Sequence, residues 1–447
     1  MRIGYFLSLF ALSSSSLMAK TPNIIIILVD DLGFGDLSCQ GQANDIKTPN
    51  IDLLLNKGIR FTNLYANCTV SSPSRAALLT GEFPDLVGVP GVIRTNPNDS
   101  WGYLRRDAIL LPQLLKNEQY HTAIIGKWHL GLESPNTPTE RGFDYFHGFL
   151  GDMMDDYYTH KRQGKDLMFE NRELVFPKGH ATDIFTNWAI SYVNEQKSSP
   201  HPFFLYLAYN APHFPEQAPQ EWLDRVKLRQ PEMSSKRAKL VALIEHLDYN
   251  IGQLYDELQK NGQIENTVIF FASDNGGNLP SEANNHPYRG GKQDMYEGGI
   301  HVPGGVYWKN HIQSAVNDNL VMLFDFFPTI CELTGTKISQ PIDAISIAPL
   351  LRAEKQITDD RFLVWTRREG GLEYLGRDYF ACRYKNLKMV QNRPSNAFQF
   401  YNIEEDMQEK KPLQNTNTPE FDTIRRALMQ HILKAGQVPW QKKNNNN

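Results

Sequence analysis

Cysteine is scarce in this chain of 447 residues: four occur, Cys39, Cys68, Cys331 and Cys382. They stand far apart without C-x-x-C spacing, which excludes a zinc knuckle and a dense disulfide framework and leaves one or two disulfides open for an exported protein. Burial as small apolar side chains is the ordinary fate of such thiols. An excess of one charge sign is also missing. Lys and Arg total 46 against 50 for Asp and Glu, a formal charge of −4 with no long single-sign run, so the electrostatic footprint of a nucleic-acid binder is absent. Long apolar stretches are lacking too, and no segment offers the roughly 20 consecutive apolar residues of a membrane-spanning helix. The one early run, in MRIGYFLSLFALSSSSLMAK, follows Arg2 and ends in small residues near Ala19. That pattern predicts a signal peptide over residues 1–19, and hence a secreted, periplasmic protein with no membrane partner.

What is present is one design used four times: a short β-rich run that passes abruptly into polar residues. Residues 24–29 run into Asp30 and Asp31, and residues 121–126 lead into Lys127-Trp128-His129. Residues 203–209 end in Asn210-Ala211-Pro212-His213, and residues 268–272 in Ser273-Asp274-Asn275. Continuous apolar runs of this length are expected of strands buried on both faces. Helical signals separate them: Thr48-Pro49 ahead of Ile51, Leu54 and Leu55, closed by Gly58, and a long stretch over residues 235–260. Strands alternating with helices predict an α/β fold with a parallel sheet. Ligands bind such sheets beyond the carboxyl ends of the strands. Asp30, Asp31, Lys127, His129, His213, Asp274 and Asn275 would then share one rim.

Beyond about residue 350 the texture changes to short alternating pieces over 361–366, 378–384 and 387–391. A helix follows, opened by Thr418-Pro419, with Phe421, Ile424, Leu428 and Ile432 on one face before Gly436. The expected division is a catalytic domain over 20–350, a small antiparallel sheet with one packed helix over 351–440, and a polar tail over 441–447.

The stretch SSPSRAALLTG, from Ser71, reads as a helix start with Ser72 as cap and Pro73 at the first helical position. Ser71 would precede a helix N-terminus, where free N–H groups and the helix dipole favour an oxyanion. This stretch resembles the type I sulfatase signature: Cys or Ser, any residue, Pro, any residue, Arg, then Thr-Gly some residues later. A signature starting at Cys68 would need Pro where Val70 stands and Arg where Ser72 stands. VDDLG, GKWHLG, APHFP, SDNGG and RGGKQDMYEGGIHVP are similar to further sulfatase blocks in family order, and TPNIDLLLNKGIRFTN and FDFFPTICELTG to structural ones. The resemblance spans roughly residues 22–440.

It implies an alkaline-phosphatase-like α/β fold, a large mixed, mainly parallel sheet between helix layers, and a formylglycine made from Ser71. It also implies a Ca²⁺ ion, with Mg²⁺ the alternative, held by Asp30, Asp31, Asp274, Asn275 and the modified Ser71; hard oxygen donors suit these ions better than zinc. By the same resemblance Arg75 and Lys127 hold the modified side chain, and His213 and Lys292 serve the sulfate and the leaving group, with His213 as general acid. His129 takes the proton from the second hydroxyl as sulfate departs. A serine at position 71 implies a radical iron–sulfur maturase as partner, acting before export.

The ester's alcohol is set by loops grafted on such folds. Asp155, Asp156, Tyr157, His160 and Arg162, with His286 and Arg289, are candidates to line its pocket, and a solvated insertion is the equal alternative for 151–173. Secretion with a serine-type signature resembles bacterial polysaccharide sulfatases, whose substrates include algal galactans such as carrageenan and animal glycosaminoglycans, and an algal galactan oligosaccharide is the expected sulfated substrate. A phosphomonoesterase or phosphodiesterase of the same superfamily, with unmodified Ser71 attacking phosphorus, is the rival enzyme reading. A glycan-binding protein without catalysis is a third, and it leaves Lys127, His129, His213 and Lys292 together unexplained. The oligomeric state is not legible.

Overall fold

The computed structural model describes residues 21–354, 360–369 and 376–441. The expected signal peptide lies outside them, as does all of the expected tail except Gln441. Strand β1 (Asn23–Val29) shows why the apolar runs are continuous. Successive side chains of a strand point to opposite faces, and both faces of β1 are covered. Ile24, Ile26 and Leu28 enter one apolar cluster, Ile25, Ile27 and Val29 another.

The first cluster takes Ala76, Leu78 and Leu79 from helix α2 (Ser71–Thr80) and Phe326, Phe327 and Ile330 from α5 (Phe326–Thr334). The second takes Ile51, Leu54 and Leu55 from α1 (Pro49–Lys57), Ile184 and Phe185 from α3 (Ala181–Gln196), and Leu243 and Leu247 from α4 (Ser235–Lys260). Each Leu, Ile or Phe among them contributes about 1.5–3 kcal/mol on burial.

The sheet has ten strands. In chain order the others are β2 (Ile59–Phe61), β3 (His121–Lys127), β4 (Tyr145–Phe149), β5 (Met168–Glu170) and β6 (Glu173–Leu174). They continue with β7 (Phe203–Ala208), β8 (Thr267–Ser273), β9 (Gly304–Trp308) and β10 (Ala315–Asn317). The spatial order is β10-β2-β9-β8-β1-β7-β3-β4-β5-β6. The central five, β8, β1, β7, β3 and β4, are parallel, and β9, β5 and β6 join antiparallel. Register brings Val29 beside Ser273, Leu28 beside Ala208, and Ala208 beside Gly126. The residues that follow these strands therefore emerge on one edge.

A second sheet is antiparallel, in the order β11 (Phe362–Glu369), β12 (Arg377–Tyr384), β13 (Leu387–Gln391) and β14 (Gln399–Asn402). Helix α6 (Pro419–Ala435) lays Phe421, Ile424 and Leu428 against Cys382, Met389 and Phe400. The sequence reading had no counterpart for β14, whose pattern is only four residues long. A buried ion cluster ties the second sheet to the segment ahead of β9: Lys388 of β13 reaches Glu297 at 2.9 Å and Glu409 at 2.8 Å. All four cysteines are free. Among the described residues, no helix is long and apolar enough to cross a membrane.

Candidate active site

The four runs deliver their polar ends to one place. Asp30 and Asp31 follow β1, Lys127 closes β3 with His129 two residues on, His213 follows β7, and Asp274 and Asn275 follow β8. All are buried. Asp31 (φ 66°) and His129 (φ 58°) adopt the left-handed backbone region, which costs a non-glycine residue energy and is typically stored at functional sites.

Helix α2 begins two residues earlier than its Pro73 signal suggests, with Val70 in the cap position. Ser72 is therefore not the cap. Its hydroxyl instead accepts from the Ile93 N–H at 3.0 Å. Ser71 occupies the first helical position, its hydroxyl donating to Asp274 Oδ2 at 2.5 Å and accepting from Arg75 Nε at 2.8 Å. Arg75, one turn on, spends its remaining nitrogens on Asp30 Oδ2 (3.3 Å), Asp274 Oδ2 (3.1 Å), the Lys127 carbonyl (3.2 Å) and the Tyr206 hydroxyl (3.4 Å). Lys127 Nζ donates to Asp30 Oδ2. Lys292 Nζ donates to Asp31 Oδ2 at 2.7 Å, while Asn275 Nδ2 donates to Asp31 Oδ1 at 2.8 Å. His213 Nε2 lies 3.6 Å from Asp31 Oδ2, and its Nδ1 is paired with the Phe214 carbonyl at 2.7 Å.

Burial alone would raise the Asp30 carboxyl, but Lys127, His213, Arg75 and Lys292 hold it well below the usual range. Asp274 is pushed up to about 6 by burial and by the neighbouring Asp30 charge. Burial lowers His129, helped by Lys127 and Arg75, so this imidazole is neutral. Its Nε2 meets the Ile93 carbonyl at 2.9 Å and must carry the proton there, which leaves Nδ1 as a buried lone pair with no hydrogen-bond partner. His213 is lowered by burial and by Lys292. Lys292 is raised despite burial, through Asp31 and Asp30.

A divalent cation fits this set. Asp30 Oδ1 and Asn275 Oδ1 are buried oxygens with no hydrogen-bond partner, an arrangement that costs free energy unless a ligand meets them. Asp30, Asp31 and His213 also bring donor atoms within 4.8 Å of one another. Carboxylate and amide oxygens are the donors expected for a hard ion.

The proposed pocket residues behave differently. Arg162 is spent on Asp152 (2.9 Å) and Asp155 (2.8 Å), and Asp156 caps its own turn through the N–H groups of Tyr158 and Thr159. Tyr157 and His160 are buried and hydrogen-bonded to backbone: the Tyr157 hydroxyl donates to the His213 carbonyl, and His160 Nε2 meets the Gly179 carbonyl. His286 pairs with Gln42 at the surface, and Arg289 packs over Tyr296 and donates to the Glu409 carbonyl. The loop's charges were legible, but their consumption by one another was not. Tyr206 and the Ile93 backbone were missed; only a polar ring inside an otherwise apolar buried strand marks Tyr206, and a carbonyl leaves no mark at all.

The family model described as Sulfatase matches residues 22–336, and that of the N-sulphoglucosamine sulphohydrolase C-terminal region matches 289–437. The chain is 33% identical to the uncharacterized sulfatase YdeN of Escherichia coli (strain K12), over 77% of this chain and 68% of that protein. It is 32% identical to the N-acetylgalactosamine-6-sulfatase of Mus musculus, over 77% and 69% respectively. Among solved structures, Ps i-CgsB in complex with k-i-k-neocarrahexaose is similar at 31% identity and a TM-score of 0.86, covering 95% of this chain and 96% of that one.

Proposed function

This chain belongs to the sulfatase family, and we propose that it removes sulfate from a sulfated carbohydrate, an algal galactan oligosaccharide of the carrageenan kind. The observation that carries the reading is Ser71 at the start of α2, its hydroxyl shared between Asp274 and Arg75. The neocarrahexaose bound in the similar structure supports the choice of sugar. Sulfatases as a family use a formylglycine and a divalent metal; here Ser71 is the residue to be oxidised, and Ca²⁺ the ion that Asp30, Asp31, Asp274 and Asn275 would hold. When bound, that pair supplies an acidified hydroxyl as nucleophile and positive charge against the sulfate oxygens.

The chain's own residues do the rest. Arg75 and Lys127 fix the attacking side chain and bring positive charge to a reaction in which an already anionic ester must be attacked. Lys292 and His213 meet at Asp31, where a bound sulfate would neutralise Lys292 and raise the His213 pKa by its own charge, so that Nε2 carries the proton the departing sugar oxygen needs. His129, neutral with an open Nδ1, accepts a proton in the later step that releases sulfate. Export with a cleaved leader, and a radical iron–sulfur maturase acting before it, complete the reading; Arg2, the apolar run and the serine at position 71 support them.

Peptide mass spectrometry on protein from its own host tests this. Ser71 is expected as formylglycine, Cys68 untouched, and the protein is expected to release inorganic sulfate from a sulfated galactan oligosaccharide. Sulfate release by protein carrying only unmodified Ser71 would overturn the formylglycine assignment.

A further inference from the structure

One cavity reaches the Ile93 backbone beside the reaction centre, and a second adjoins it farther out through Trp440 and Gln441. The inner one, about 590 Å³, reaches Ile93 and Leu130. Ile93 is the residue whose N–H meets Ser72 and whose carbonyl meets His129, so this cavity borders the catalytic helix directly. Its volume lies within the range of about 300–1,000 Å³ usual for small-molecule sites. The outer cavity, about 350 Å³, is lined by Arg368. Trp440 and Gln441 line both, so Trp440 stands as the ridge between them.

The lining has a chemical order. Arg94 belongs to the inner cavity, and its guanidinium is anchored by Glu369 and by the Asp99 carbonyl, each at 2.9 Å. That pairing with a buried carboxylate fixes the Arg94 side chain as part of the cavity wall. Lys165 stands exposed on the same cavity. Trp440 stacks on Trp101, with ring centroids 4.1 Å apart and planes 17° apart, so the indole on the ridge is held rigid. A cation, a flat aromatic face, then a further cation match a chain in which sulfate groups alternate with the apolar faces of sugar rings.

Resting on the reading above, we infer that the two cavities form one track for the sulfated units next to the scissile ester. Lys165 takes the sulfate of the nearer unit, Trp440 carries a sugar face, and Arg368, whose Nε lies 3.6 Å from Asp378, meets a sulfate farther out. The substrate class is thereby an oligosaccharide sulfated on more than one unit.

The test compares a sulfated galactan hexasaccharide with the matching sulfated monosaccharide. For the wild type, KM is expected to fall at least about tenfold from monosaccharide to hexasaccharide. Trp440→Ala should erase most of that difference. In a Ser71→Ala background, calorimetric Kd for the hexasaccharide should weaken about tenfold on adding Trp440→Ala, equivalent to about 1.4 kcal/mol, and Lys165→Ala or Arg368→Gln should flatten its salt dependence. A wild-type KM independent of chain length, or a length dependence that survives Trp440→Ala, overturns the track while leaving the sulfatase reading intact. Hydrolysis of neither sugar, by protein shown to carry the Ser71 modification, overturns the substrate reading and the track with it.

Discussion

The phenol of Tyr157 donates to the backbone carbonyl of His213 over 2.8 Å, in a fully buried contact between the 151–173 insertion and the loop after β7. The ring also stacks on His180, 4.9 Å away and 18° from parallel. The insertion is thus wedged beneath the imidazole assigned to the leaving group. Tyr157→Phe removes one buried hydrogen bond and keeps the packing, so a stability loss of about 1–2 kcal/mol is expected. Thermal unfolding checks the loss. Kinetics check the coupling: turnover of a sulfated sugar should fall more than that of an aryl sulfate, because only the former needs a well-placed proton donor. Equal losses on both substrates would reduce Tyr157 to a packing residue.

Much of this site was legible because the chemistry-bearing residues sit where apolar strands stop. The strand at residues 24–29 and its three counterparts had to lie parallel for Asp30, Lys127, His213 and Asp274 to meet, and uninterrupted apolar runs separated by helices demand that arrangement. The start of α2 was misplaced by two residues, since a proline is tolerated anywhere in a helix's first turn and so does not fix which residue is the cap. The 151–173 insertion was illegible for a different reason. Its acidic, basic and aromatic residues suit a sugar pocket and a self-paired loop equally well, and only tertiary contacts such as Arg162 with Asp152 decide. The cavity beside Ile93 left no trace either, for it is walled by segments remote in sequence, among them Arg94, Lys165 and Trp440.

Removal and return of the metal should be visible without any substrate. A ligand that binds only the folded state stabilises by about 2.7 kcal/mol at a hundredfold excess over Kd. Unfolding temperature should drop in EGTA and recover on adding Ca²⁺. The recovery should shrink in Asn275→Ala, which removes a lone buried oxygen, and vanish in Asp31→Ala. Full-sized recovery in both variants would move the ion elsewhere.

The ion cluster around Lys388 predicts a pH dependence of stability. Lys388 is shared by two fully buried carboxylates, Glu297 and Glu409. Burial would raise Glu297, but Lys388 and Arg383 draw it well below its ordinary value. Glu409 is raised from 4.5 to about 7 by burial, with the Glu297 charge adding to it. Between those two values the folded chain binds more protons at Glu409 than the unfolded one, so this group's contribution falls as pH rises from about 4.5 to 7. The Glu297 contribution is present above about 4.5 and is lost only at lower pH. Over pH 5–8, then, the wild-type unfolding temperature is expected to decline, and Glu409→Gln should flatten that decline, by an amount on the order of a few kcal/mol at most. Parallel curves for the two proteins would show that Glu409 does not titrate there.

The two histidines should separate by leaving group. His213 is held through Nδ1 by the Phe214 carbonyl and turns Nε2 toward Asp31 and Lys292, a placement suited to protonating an oxygen as it departs. A sugar hydroxyl has a high pKa and needs that proton, whereas a nitrophenolate leaves with little help. His213→Ala should therefore depress kcat/KM on a sulfated sugar about 10²–10⁴-fold, the usual range for a general acid, and far less on an aryl sulfate. His129 is placed otherwise: the Ile93 carbonyl fixes its proton on Nε2, and burial with Lys127 and Arg75 keeps it neutral. Its open Nδ1 can only accept. His129→Ala should then slow kcat on both substrates to a similar slow value, because the step it serves comes after the alcohol has gone and no longer depends on which alcohol that was. The discriminating measurement is kcat and kcat/KM for both variants on both substrates, with unfolding temperature as a control for misfolding. A His213→Ala enzyme that loses the aryl sulfate as severely as the sugar refutes the acid assignment, and a His129→Ala enzyme whose kcat still tracks the leaving group refutes the base.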